Sequence, residues 1–245
     1  MTALKLSLSE GGDSVLVFTI LASALAPGLS LLTYFYLKDK YDQEPLHMVL
    51  RMFLFGFLIV IPVLIIQKGM LNWFGGIMFI EPVFISGGVE EFLKWFVLFH
   101  LIYNHVEFDE PYDSILYSAA ISLGFASAEN ILYAWYSQGA FAPMMIRAML
   151  PVSGHAMFGV IMGYYLGRAK FSKGSLSRRF LLMSLLIPWA YHALYDLILN
   201  TFKNSWLWFI VPMMVLLWYG AMGKIARANN RSPFRMIHKD EEVKT

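Results

Sequence analysis

The sequence predicts an all-α fold, a polytopic bundle of about seven transmembrane helices around a buried polar site. Three observations predict it. Hydrophobic residues make up 58% of the 245 residues and charged residues only 15%, where a soluble domain has roughly 45–50% and about 25%. The apolar residues fall in continuous runs of about 20, the length a helix needs to cross the hydrocarbon layer. The runs do not alternate as strands do, and an open sheet could not satisfy its backbone in lipid. Aromatic residues reach 16%, with Phe suited to lipid-facing surface and Trp and Tyr to the interface belts.

The runs give seven candidate spans at residues 15–37, 48–66, 78–104, 113–136, 143–167, 180–200 and 206–224. The first is too long for the core of a cleavable signal, and the polar segment before it lacks a basic cluster, so it is expected to remain. The second is the shortest, and Pro62 is expected to kink it. Residues 1–225 read as one transmembrane unit and 226–245 as a polar cytoplasmic tail. With seven spans, the loops near 38–51, 104–112 and 168–179 and the tail share one side. That side carries 14 Lys and Arg, against 3 (Lys5, Lys68 and Lys203) on the other. The positive-inside rule then places the N-terminus outside and the C-terminus in the cytoplasm.

Composition also excludes. There is no cysteine, which removes disulfides, Cys-bound zinc and thiol nucleophiles. A net charge of +2 gives no basis for a nucleic-acid partner. The lipid bilayer is the implied surrounding.

The informative residues are ionisable groups inside apolar runs. Each costs at least about 2.5–3.5 kcal/mol near the bilayer centre, and such groups normally face the bundle interior. The third run holds Gly87-Gly88-Val89-Glu90-Glu91-Phe92-Leu93-Lys94. Lys94 lies four residues after Glu90 and three after Glu91, so it reaches either carboxylate on a helix. Two carboxylates in low dielectric resist ionising together, and a lysine stabilises one as the anion. A packing ion pair is the simpler reading, but it needs no third ionisable group.

Glu129 and Asn130 follow Phe125-Ala126-Ser127-Ala128 in the fourth run. Ser122 and Ser127 fit interhelical hydrogen bonding, whereas Glu129 fits it poorly. The fifth run holds His155, followed by Gly159, Gly163 and Gly167 at four-residue spacing. That stripe reads as a close-packing face. The sixth run has His192 and Asp196 four apart on one face, where a carboxylate can fix the tautomer of a histidine. Counted from the outer ends of their spans, Glu90 and His155 lie about 18 Å deep, His192 about 12 Å and Glu129 about 10 Å. These depths suit one cluster from four helices.

Glu90-Glu91-x-x-Lys94, Phe125-x-x-x-Glu129-Asn130, His155 and His192-x-x-x-Asp196, in this order and in separate runs, resemble the motifs of the PrsW proteases. That family is grouped with CAAX-prenyl endopeptidases and bacteriocin-processing proteins. Asp42-Gln43-Glu44-Pro45 after the first run is similar to it too, and the resemblance covers residues 30–200. The CAAX enzymes proper carry a longer Glu-Glu-x-x-x-Arg spacing and a histidine in place of Glu129, so prenylated substrates are not implied. The resemblance implies a bacterial cell-membrane peptidase that cleaves a single-span membrane protein. It further implies first cleavage of an anti-sigma factor in envelope stress signalling.

For peptide hydrolysis without cysteine, an activated water is the natural route, with Glu90 or Glu91 as general base. His155, His192 and Asn130 can position water or stabilise an oxyanion. Glu129, His155 and His192 could instead hold a catalytic Zn2+ with one open position, with Asp196 supporting His192. No His-Glu-x-x-His spacing is present, and the zinc and metal-free routes both stay open. A proton-coupled transporter would also place these groups in a bundle core, but no related halves are visible in the sequence.

Overall fold

A computed structural model describes residues 2–77, 79–136 and 145–235. All regular structure among these residues is helical. Helix α1 spans Thr2–Tyr36, α2 Leu46–Leu58 and α3 Val60–Phe74. A π-helical stretch, Glu81–Gly88, leads into α4, Val89–Ile102. Helix α5 spans Asp113–Tyr136, and a second π-helical stretch, Ala148–Val152, leads into α6, Ser153–Lys170. Helices α7, Gly174–Thr201, and α8, Trp206–Asn229, complete the bundle.

With α2 and α3 taken as one rod, the described residues form seven rods, as the runs of the sequence predict. Five of them, Leu46–Phe74, Asp113–Trp135, Met145–Lys170, Gly174–Thr201 and Trp206–Asn229, are long and apolar enough to cross a membrane. Residues Leu21–Tyr36 of α1 are also an apolar helix. The rod containing α4 carries Glu90, Glu91 and Lys94 within its apolar run. The protein is a multi-pass membrane protein.

Prolines shape the rods. Pro62 offers no N–H to the Leu58 carbonyl, and the α2–α3 rod breaks at Ile59, three residues before it. Pro82 opens the first π stretch and Pro151 lies inside the second. The expected tail boundary at residue 225 falls inside α8, which runs on to Asn229.

Helix α5 is the axis of the bundle. It is buried along nearly its whole length, from Asp113 to Ala128, and packs on α1, α2 and α6. Small residues permit this. A Cβ on Gly124 would collide with the Phe53 carbonyl of α2, and one on Gly56 with the Ile121 carbonyl of α5. On the other flank, a Cβ on Gly159 would meet Ser122 Oγ at 2.7 Å and one on Gly167 would meet Ser114 Oγ at 2.6 Å, while one on Gly163 would collide with the Ser114 carbonyl. The stripe Gly159/Gly163/Gly167 is therefore a close-packing face, laid against the serines of α5. Outward, Leu54, Ile61, Ile65, Leu182, Leu216 and Tyr219 are exposed, as a lipid-facing surface requires.

Candidate functional site

The eight residues singled out from the sequence lie on four rods, and seven of them meet around one interior cavity or directly behind its wall. The cavity measures about 130 Å³, room for a few waters. Glu90, Glu129, His155, His192 and Asp196 line it, together with Ser86, Arg147 and Tyr195. A more open recess of about 310 Å³ shares Ser86, Asp196 and Leu199 with it and leads outward past Glu81 and Asn200.

Two π stretches lead directly into the site. One ends at Gly88, two residues before Glu90, and the other at Val152, three before His155. A π turn shifts the angular register of the residues after it, and such turns are frequent at functional sites. Gly87 and Gly88 let α7 come close at this level: a Cβ on Gly87 would meet Ala193 N at 3.1 Å, and one on Gly88 would meet the Trp189 indole at 3.4 Å.

Glu91 and Lys94 are fully buried behind the cavity wall. Lys94 Nζ donates to Glu91 Oε1 at 2.8 Å, stands 3.6 Å from Glu90 Oε2 and lies 4.1 Å from the centre of the Phe125 ring. It also reaches His155 Nδ1 at 3.1 Å. Glu91 Oε1 in turn meets His192 Nδ1 at 2.9 Å. Glu91 accepts from His192 Nδ1, which leaves the Nε2 lone pair of His192 for the cavity side, whereas Lys94, a donor only, makes His155 Nδ1 an acceptor, so His155 Nε2 carries the ring proton. His155 Nε2 lies 2.9 Å from Glu129 Oε2. His192 Nε2 lies 3.8 Å from Glu90 Oε2 and 3.6 Å from Asp196 Oδ2.

Glu90 is held differently. Gln67 Nε2 of α3 donates to its Oε1 at 3.2 Å, while Oε2 is buried without a hydrogen-bond partner among the described residues. One ligand-type atom each from Glu90, His155 and His192 lie within 4.8 Å of one another. This differs from the set expected from the sequence, in which Glu129 accompanied the two histidines. Glu129 engages His155 and sits 4.0 Å from Arg147. Asp196, expected to support His192 from behind, instead faces the cavity and accepts a 2.6 Å hydrogen bond from Ser86 Oγ. Glu91 is the residue at the back of His192.

Asn130 is not brought to the cavity. It is fully buried, its Oδ1 accepts from Arg147 Nε at 2.9 Å and its Nδ2 donates to the Ala24 carbonyl at 3.3 Å. It anchors the arginine that does line the cavity. Gln67, Ser86, Arg147 and Tyr195 were not found from the sequence. Arg147 alone carried a usable signal, as a charge at the edge of an apolar run.

Glu90, with an orphaned carboxylate oxygen, and His192, its Nδ1 held by a carboxylate, fit a transition-metal ion of the zinc type, and His155 would complete a two-histidine, one-carboxylate set with its ring proton on Nδ1. Fold and site together define a multi-pass membrane protein with a polar, metal-binding type of centre inside the bundle. Sequence comparison supplies the family. Residues 44–221 match the PrsW family intramembrane metalloprotease pattern. The chain is 46% identical over 217 residues to "Protease PrsW" of Bacillus subtilis, covering 87% of this chain and 97% of that protein. It is also 46% identical to the Geobacillus kaustophilus protein of the same name, over 86% of this chain and 93% of that one. Identity to the Clostridioides difficile relative is 29%, over 85% and 91% of the two chains. No solved structure matches it significantly. The chain belongs to the PrsW family of intramembrane metalloproteases and is a peptidase. The transporter alternative falls away with that membership.

Proposed function

We propose that the protein cleaves a single-span membrane protein, using water activated in the cavity between α4, α5, α6 and α7. The observation that carries this reading is the convergence of Glu90, Glu129, His155 and His192 on one small polar cavity inside an apolar bundle. An anti-sigma-factor-like substrate, cleaved at the first step of an envelope stress response, rests on the family resemblance. So does a bacterial cell membrane. The N-terminus outside and residues 226–245 in the cytoplasm rest on the 14-to-3 bias in Lys and Arg.

Glu90 and the Nε2 atoms of His155 and His192 would hold a zinc ion. When bound there, zinc supplies Lewis-acid polarisation and a lowered pKa for water. The remaining work belongs to the chain. Gln67 orients Glu90 through one carboxylate oxygen. Glu91 fixes the His192 imidazole by accepting from Nδ1, and Lys94 holds Glu91; His155 would ligate through Nε2 with its own ring proton on Nδ1. Glu129 accepts a proton from the attacking water and returns it to the leaving amine. Arg147, four ångströms from Glu129, and Tyr195 supply positive charge and a hydroxyl donor toward the oxyanion. Ser86 holds Asp196 at the mouth of the cavity, where it orders water.

Purified protein variants test this assignment by metal analysis and by cleavage of a co-reconstituted single-span substrate. Glu129→Gln should keep about one metal ion per chain and lose cleavage by at least about 100-fold. Glu90→Gln and His192→Ala should lose both. Wild-type cleavage that survives complete chelation, or normal cleavage by Glu129→Gln, would overturn the roles given.

A further inference from the structure

A second group of carboxylates lies at the other end of the bundle, where the α1–α2 loop, the α4–α5 loop and the end of α8 meet. Asp39 is 6% exposed, Glu110 0% and Asp113 1%. One oxygen from each lies within 4.8 Å of the others. Asp113 opens α5, sixteen residues before Glu129, so the group is about 24 Å along the helix from the catalytic cavity. It is separate from the site described above.

Three buried carboxylates this close repel one another and need compensation. Hydrogen bonds from donors outside the group supply little of it. Among the described residues, both oxygens of Asp39, both of Glu110 and Oδ1 of Asp113 are buried without a donor in good bonding geometry. The Glu44 backbone lies toward Asp39 and Ser232 toward Glu110, and the carboxyls face one another in pairs, Asp39 with Glu110 and Asp113 with Glu44. Asp113 Oδ2 is engaged, accepting from the backbone N–H of Asp109 at 2.9 Å and of Glu110 at 2.7 Å, which turns Oδ1 away from those donors. Glu44 is adjacent and accepts from the Tyr117 hydroxyl. Cations do not supply it either. Among the described residues no Lys, Arg or His pairs with these carboxylates within 4.0 Å. Lys170, the basic residue whose charge acts on Asp113, lies over the Phe108 ring and donates to the His105 carbonyl.

Burial and mutual repulsion accordingly push Asp39 up to about 8, and burial pushes Glu44 up to about 7. The surroundings are nonetheless firmly built. The Tyr112 hydroxyl donates to the Phe35 carbonyl at 2.6 Å, and Asn229 Nδ2 donates to the Lys38 carbonyl at 3.2 Å. Asn229 also buries an Oδ1 with no donor among the described residues.

We propose that Asp39, Glu110 and Asp113, with Glu44 beside them, form a second metal site that takes a hard divalent cation of the magnesium–calcium class. All-oxygen, carboxylate-rich donors select that class over zinc or copper. The ion bridges the α1–α2 loop to the start of α5 and so ties the outer helix α1 to the axis of the bundle.

The test is thermal unfolding of the chelator-washed full chain in detergent, with MgCl2, CaCl2 or matched NaCl. Mg2+ or Ca2+ should raise Tm saturably, by on the order of 5 °C at a hundredfold excess over Kd, and NaCl should not. Glu110→Gln and Asp39→Asn should lose the rise, whereas Glu90→Gln, at the catalytic cavity, should keep it. A rise that persists in Glu110→Gln, or no rise in the wild type, overturns the site. No rise, together with Asn and Gln variants that outlast the cation-free wild type, would show that shared protons hold the carboxyls. Should the variants fail to accumulate, Mn2+ titration of the wild type by electron paramagnetic resonance decides. One bound ion displaced by Mg2+ or Ca2+ supports the site, and none bound ends it.

Discussion

Lys94 is the residue on which the catalytic geometry turns. It is fully buried, and its one ammonium group touches Glu91, Glu90, His155 and the Phe125 ring. Removing one partner of such a network leaves the others buried and uncompensated, at a cost of about 3–5 kcal/mol. Lys94→Met should therefore lower the accumulated protein and its Tm as well as abolish cleavage. Glu91→Gln should behave differently. It keeps the shape and a hydrogen-bonding oxygen, so the protein should accumulate, but His192 loses its anionic support and metal affinity should fall about 10–100-fold. Metal titration of detergent-purified Glu91→Gln checks this, and unchanged affinity would remove Glu91 from its supporting role. The sequence legibly marked both residues, because a charge in an apolar run is costly wherever the run folds. It did not show which atom each holds, since that depends on helices far apart in the chain.

At the scale of the helix, close packing decides. Gly124 and Gly56 allow the backbones of α2 and α5 to touch, and Gly163 does the same for α5 and α6. These contacts set the distance between Glu129 on α5 and His155 on α6. Gly124→Ala and Gly163→Ala should each lower Tm, because the colliding atoms are backbone carbonyls that cannot rotate away. Gly69→Ala on α3, where a Cβ would meet nothing within 4 Å, should leave Tm unchanged or slightly raised. The Gly159/Gly163/Gly167 stripe was readable from its spacing, and Pro62 was readable as a break. The π stretches at Glu81–Gly88 and Ala148–Val152 were not, because an extra residue per turn leaves no fixed pattern in composition. Gln67 was equally silent: a single amide near the end of an apolar run becomes meaningful only once α3 is seen beside α4.

For the whole molecule, topology and chemistry make one joint prediction. Reporter fusions after residue 245 and within the loop 168–179 should read as cytoplasmic, and a tag before residue 15 should read as external, in keeping with the distribution of Lys and Arg. A cytoplasmic N-terminal tag together with an external C-terminal reporter would invert the bundle and place the acidic loop cluster outside. The seven rods, their order and the presence of a polar interior were fixed by amino-acid composition and spacing alone, because lipid leaves a long apolar run no alternative to a helix. The same cost of desolvation announced which residues must hide from lipid. Their pairing belongs to the tertiary structure. Glu90 rather than Glu129 faces both histidines, Glu91 rather than Asp196 backs His192, and Asn130 serves Arg147. A hydrogen bond is a few ångströms long and directional, so it depends on how far each helix is turned and raised against its neighbours, and no stretch of one helix carries that information.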